Sequence, residues 1–138
     1  IYIEGELEPI DTTGAATVNF KFTRNNGMWT VNGDLYDEHI VTTRFKQNQV
    51  YILKFWTPGG WAHPAHFHVE EGRLLRYNGE DIHGGPFGGR KDNFSLFGGD
   101  EMIVAVRFRD WLGRYVMHCH NGVHEDHAMM VNFEITPP

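Results

Sequence analysis

The 138-residue sequence predicts an all-β fold, a Greek-key β-sandwich, and three observations predict it. Short apolar runs with two-residue alternation recur at a spacing of about ten residues, the pattern of half-buried strands. Between them stand turns rich in glycine, asparagine and aspartate. No capped amphipathic stretch reaches the length of about twelve residues at which a helix becomes convincing.

Taken in order, residues 1–16 hold Gly5, Pro9 and Gly14 and read as an N-terminal arm or linker, with residues 17–138 as one domain. Thr17 to Thr23 alternates Val18, Phe20 and Phe22 with polar neighbours and reads as a strand. Asn25-Asn26-Gly27 is a turn into a second strand, Met28 to Val31, which ends at Asn32-Gly33-Asp34. Gln49 to Trp56 is the richest strand run and stops at Thr57-Pro58-Gly59-Gly60. Ala65 to Val69 and Arg73 to Tyr77 are strands around a Glu70-Glu71-Gly72 turn. His83 to Gly89 carries four glycines and a proline and reads as a surface loop. Glu101 to Arg109 is a buried strand, Gly113 to His118 begins another, and Asn132 to Ile135 closes the fold.

Composition narrows the function. With 41% apolar and 14% aromatic residues the chain can bury a core of its own. A net charge of -6 argues against nucleic acid and anionic membrane surfaces as partners. No apolar run approaches a membrane span and no leader pattern is present. The opening Ile1-Tyr2-Ile3, without an initiator Met, reads as a processed product or a fragment.

The chemistry gathers in two places. In His118-Cys119-His120-Asn121-Gly122-Val123-His124 the sole cysteine lies between two histidines, with a third five residues on and Met129 ten residues on. Thiolate, imidazole and thioether together form the donor set of a blue copper electron-transfer site. The imidazole still missing comes from His63-Pro64-Ala65-His66-Phe67-His68. On a strand, residues two apart share a face. His118 and His120 therefore point one way and Cys119 the other, and His66 and His68 share one face. His63 is expected to lie before its strand, beyond Pro64, and to aim elsewhere. Cys119, His63, His124 and Met129 can then close one copper site. His66, His68, His118 and His120 form an all-imidazole cluster suited to copper that meets oxygen. Zinc fits the residue types, but a structural zinc site needs its four ligands on one centre, and alternation divides these between two faces. His39, His83 and His127 form no third pair and read as ordinary surface or core residues.

His-Pro-x-His-x-His followed by His-Cys-His-x3-His-x4-Met resembles the C-terminal cupredoxin domain of the multicopper oxidases, the laccase and bilirubin oxidase superfamily. The likeness runs from about Trp29 to Glu134 and includes Gly113-Arg114-Tyr115-Val116-Met117 and His124-Glu125-Asp126. The two motifs together are specific, since two-domain nitrite reductases and small cupredoxins of the same fold normally lack both His-x-His pairs. The resemblance implies type 1 copper on His63, Cys119 and His124 with Met129 axial, as in the bacterial branch. It implies type 2 copper on His66, and a binuclear type 3 pair on His68, His118 and His120. Single electrons from a small reducing substrate would pass through Cys119 to His118 and His120, and O2 would be reduced to water. Glu125 resembles the acidic residue that delivers protons to oxygen, the alternative being an exposed carboxylate paired with a surface base. Asp126 reads as a residue orienting an imidazole through its free N–H.

The chain departs from the family in one respect. A complete trinuclear cluster takes eight histidines from four His-x-His pairs, and only two such pairs are present. An N-terminal cupredoxin domain, on a separate or cleaved chain, is expected to supply the others. A second function class also fits the residues, a cupredoxin-type electron-transfer or copper-binding subunit without oxygen chemistry. Phenols, aromatic amines, bilirubin and metal ions all stay open as reductants, with residues 34–39 and 83–89 as candidate substrate loops. An extracellular or periplasmic location is implied by the resemblance alone.

Overall fold

The computed structural model describes residues 10–59, 61–82, 88–122 and 129–138. Twelve strands with described bounds form two sheets. They are β1 (Ala16–Asn25), β2 (Met28–Val31), β3 (Val41–Lys46), β4 (Val50–Trp56), β5 (His63–Phe67) and β6 (Gly72–Tyr77). The second half adds β7 (Glu80–Asp81), β8 (Arg90–Lys91), β9 (Asn93–Leu96), β10 (Glu101–Arg107), β11 (Gly113–Cys119) and β12 (Met130–Thr136). One sheet runs β2-β1-β4-β10-β6-β7, with β8 paired to β6; the other runs β3-β12-β11-β5-β9. This is the expected Greek-key sandwich. Among the described residues no helix is long and apolar enough to cross a membrane.

The sheets meet on an aromatic core. Phe20, Phe22, Phe45, Phe55, Phe67, Phe94, Phe108 and Phe133 are among the largest fully buried side chains. Phe55 lies 5.7 Å from Phe20, 5.8 Å from Phe94 and 6.3 Å from Phe67, so residues of both sheets stack in one run. Each such ring contributes roughly 1.5–3 kcal/mol of burial. Seven of them lie on strands with their side chains turned into the core, and Phe108 follows directly after the end of β10.

Four strands lie outside the expected set: β3, β7, β8 and β9. β7 and β8 have two residues each, too short for any periodicity. β3 buries only Phe45 fully, and β9 only Phe94 and Leu96; both are edge strands, specified by a neighbour more than by their own pattern. A further difference concerns β5, which spans His63–Phe67 and not 65–69. His63 is therefore the first residue of the strand, not a residue ahead of it. Val69, expected to end the strand, has a φ of 74° and turns the chain instead.

A carboxylate ties β6 to the β9–β10 connection. Asp100, 8% exposed, accepts hydrogen bonds from the Tyr77 hydroxyl at 2.6 Å, Asn78 Nδ2 at 2.9 Å and the Phe97 N–H at 2.9 Å. Burial pushes the Asp100 carboxyl up, but these donors outweigh it and hold it below its ordinary value of 3.8. The bond to Asp100, with burial and the carboxylate charge, raises Tyr77 above its ordinary 10.0. A depressed carboxyl contributes stability that is lost as pH falls through its folded pKa. A raised phenol contributes stability that is lost as pH rises past its unfolded value toward the folded one. Thermal unfolding across pH is thus expected to show this network intact at neutral pH and failing below 3.8 and above 10.0. In Asp100→Asn both limbs should flatten; unchanged limbs would assign the pH dependence elsewhere.

Candidate metal centre

The site is built on two neighbouring strands. β5 and β11 pair antiparallel with Met117 opposite Phe67, His118 opposite His66 and Cys119 opposite Ala65. Directly opposed residues share a face. Ala65, Phe67, Met117 and Cys119 are 0–1% exposed and point into the sandwich, while His66 and His118 point out of it. The same parity sends His63 inward and His68 outward. Strand alternation alone aims His63, and Pro64, which has no N–H to donate, still accepts the His120 N–H through its carbonyl at 2.6 Å.

On the inward side Cys119 Sγ lies 3.6 Å from His63 Nδ1. Both are buried, at 0% and 1% exposure. The His63 ring is held by Phe22, stacked at 5.9 Å, and by the edge of Trp29 at 5.8 Å. Met129, fully buried, is tied to the same place by its carbonyl, which accepts the Cys119 N–H at 2.9 Å. His124, Glu125, Asp126 and His127 lie outside the described residues, as does His83.

On the outward side one ligand atom from each of His66, His68 and His118 lies within 4.8 Å of the others. His68 Nε2 and His118 Nε2 approach to 3.3 Å. Two imidazole nitrogens at that distance need a proton between them, or a cation that accepts both lone pairs. The His120 ring stands 5.5 Å from His66 and 5.3 Å from His118, on the same face. His39, in contrast, is exposed beside Glu38.

Three residues matter here that sequence reasoning missed. His66 Nδ1 is 2.9 Å from the Asp92 carbonyl. A carbonyl only accepts, so Nδ1 carries the proton and Nε2 is left as the ligating nitrogen, the usual arrangement at metal-binding histidines. Asn132, 4% exposed, sends Nδ2 toward the carbonyls of Asp37, Glu38 and Ile40 at 3.4, 3.2 and 3.1 Å. It fixes the candidate loop 34–39, which with Met130 and Asn132 lines a cavity of about 420 Å³. Glu70 follows His68 by two residues and accepts from Arg109 and Arg90. Burial pushes its carboxyl up, but the Arg109 hydrogen bond, the Glu71 N–H and the charges of Arg109 and Arg90 hold it below its ordinary 4.5. Apart from the Glu71 N–H, their partners lie 20 or more residues away, so no local pattern announces them.

The donor sets fit copper on both faces. A buried thiol beside an imidazole and a thioether-bearing residue suits a blue copper site, and clustered imidazoles suit copper in general. Comparisons with known proteins point the same way. Residues 9–138 match the family model described as multicopper oxidase. The chain is 32% identical over 125 residues to the bilirubin oxidase of Albifimbria verrucaria, covering 85% of this chain and 22% of that protein. It is 33% identical over 115 residues to a laccase of Bacillus subtilis, covering 71% and 22%. Among solved structures, a variant of the McoA multicopper oxidase of Aquifex aeolicus superposes with a TM-score of 0.84 at 26% identity, covering 96% of this chain and 32% of that one. A multicopper oxidase of Pediococcus acidilactici gives 0.85 at 25% identity, covering 96% and 28%. The chain thus spans less than a third of the length of these relatives.

In the metal-free protein the neutral His66 ring is expected to carry its proton on Nδ1. Long-range nitrogen–proton NMR of the imidazoles reads this directly, and an Nε2–H tautomer would remove Asp92 as its orienting partner.

Proposed function

Because the chain belongs to the multicopper oxidase family, we propose that it is the C-terminal copper-binding domain of a laccase-like oxidase. The observation that carries this reading is the division of one strand between two donor sets. The Cys119 thiol faces His63 inside the sandwich, and the next residue back, His118, joins His66 and His68 outside it. In this proposal His63, Cys119, His124 and Met129 hold type 1 copper. His66 contributes to type 2 copper, and His68, His118 and His120 to the type 3 pair. Bound there, copper would take single electrons from a reducing substrate and deliver four to O2, yielding water.

The chain's own residues supply position and protection. The surrounding core keeps water from the Cys119 thiol, and Phe22 and Trp29 hold the His63 ring. The backbone of Cys119 joins the two faces covalently, so no separate connection between them has to be built. Asp92 presents His66 by its Nε2. Glu125 is assigned to hold and pass the protons that oxygen reduction consumes, and Asp126 to orient an imidazole.

Two further His-x-His pairs are needed to complete the cluster. We assign them to an N-terminal cupredoxin domain of the same protein or of a partner chain, docked against the face that carries His66, His68, His118 and His120. Operation outside the cytoplasm belongs to the same proposal. The reducing substrate is a small molecule or metal ion whose class the residues leave open.

In the whole copper-loaded protein, Cys119→Ser should abolish the intense blue absorption and oxygen consumption together, since the thiolate is the source of that colour. A blue wild-type protein that consumes no oxygen with any reductant would instead identify an electron carrier. Glu125→Gln should keep the blue colour and slow oxygen reduction by about 10²- to 10⁴-fold, the usual contribution of a positioned proton donor; wild-type turnover would remove Glu125 from the mechanism.

A further inference from the structure

The connection that leaves His68 carries a strained residue and a buried charge. Val69 has a φ of 74°, a left-handed conformation that a β-branched residue rarely adopts and that persists only when its surroundings over-determine it. The next side chain, Glu70, is 6% exposed. Its carboxylate accepts from Arg109 Nε at 3.0 Å and Nη2 at 2.9 Å, from Arg90 Nη2 at 2.8 Å and from the Glu71 N–H at 3.1 Å. Gly72 then enters β6 where a Cβ would lie 2.5 Å from Val104 Cγ1, so the turn has little room to relax on that side.

The partners of Glu70 are not scattered. β5 lies in one sheet and β6 in the other, and Glu70 sits on the crossing between them. Arg90 belongs to β8, just before the crossing to β9; Arg109 lies on the crossing from β10 to β11. One carboxylate therefore ties together three crossings between the sheets. Each leads to the imidazole cluster: the first carries His68 two residues upstream, the second carries Asp92, which holds His66 at 2.9 Å, and the third feeds the strand of His118.

We propose that Glu70 is a positioning residue for the imidazole cluster, holding Val69 in its left-handed turn and thereby setting His68 and His66 against His118. This rests on the assignment of copper to that cluster in the proposed function. The carboxylate of Glu70 is bound by Arg90, Arg109 and the Glu71 N–H; it acts through Val69 and through Arg90 and Arg109. A carboxylate that merely stabilised the fold would affect both copper sites alike. A positioning residue affects only the outward one, because Cys119 and His63 are anchored by the aromatic core.

The test uses the whole copper-loaded protein, with copper content, the blue band and the near-ultraviolet absorption of the coupled pair read separately. Wild type is expected to hold copper on both faces. Glu70→Gln is expected to keep the blue band and to bind copper at the imidazole cluster about 10- to 100-fold more weakly, the usual cost of losing an orienting partner. Adding Val69→Gly, which permits the left-handed turn without strain, should recover part of that loss. Wild-type copper binding in Glu70→Gln, or parallel loss of both sites, would overturn the proposal, as would failure of the glycine to restore any affinity. A wild-type protein without copper at the imidazoles would overturn the proposed function first, and this inference with it.

Discussion

Everything about the site depends on the register between β5 and β11. Three opposed pairs, Met117 with Phe67, His118 with His66 and Cys119 with Ala65, decide which donors meet. Because side chains alternate with a period of two, a slip of one residue would put Cys119 toward solvent and His118 into the core. The register holds because the inward half of these pairs is wholly apolar or small. Phe67 and Met117 are both 1% exposed and locked among the rings that link the two sheets. The donor sets are thus set by hydrophobic burial, not by the donors themselves.

That dependence explains the different surroundings of the two faces. Inside, His63 and Cys119 inherit a rigid aromatic cage as part of the core, with Phe22 and Trp29 against the ring. Outside, the imidazoles rest on hydrogen bonds and ion pairs. His66 leans on the Asp92 carbonyl, and the turn after His68 is fixed by the Glu70–Arg90–Arg109 cluster. His68 and His120 are exposed. A core-held site and a surface-held site respond differently to substitution, which is why the two can be separated experimentally.

Much of this was legible in the sequence. The apolar runs of β1, β4, β10 and β11 announced a sandwich, and two His-x-His pairs, one of them around the sole cysteine, announced two donor sets. Strands β3 and β9 were not legible, because edge strands bury one or two side chains and depend on a neighbour for pairing. His63 was expected to escape its strand through Pro64. It belongs to the strand, and the parity that separates Cys119 from His118 also separates His63 from His66.

The sequence by itself determined the donor types and, through the two-residue period, which donors along one strand share a face. Alternation is a property of the local backbone, so neighbouring residues suffice to reveal it. Only the tertiary structure decided which strands lie side by side, that His68 Nε2 comes within 3.3 Å of His118 Nε2, and which distant partners Asp92, Glu70 and Asn132 meet. Those contacts join residues 20 to 95 positions apart. They arise from the packing of two sheets over a shared core, which no stretch of the chain encodes alone.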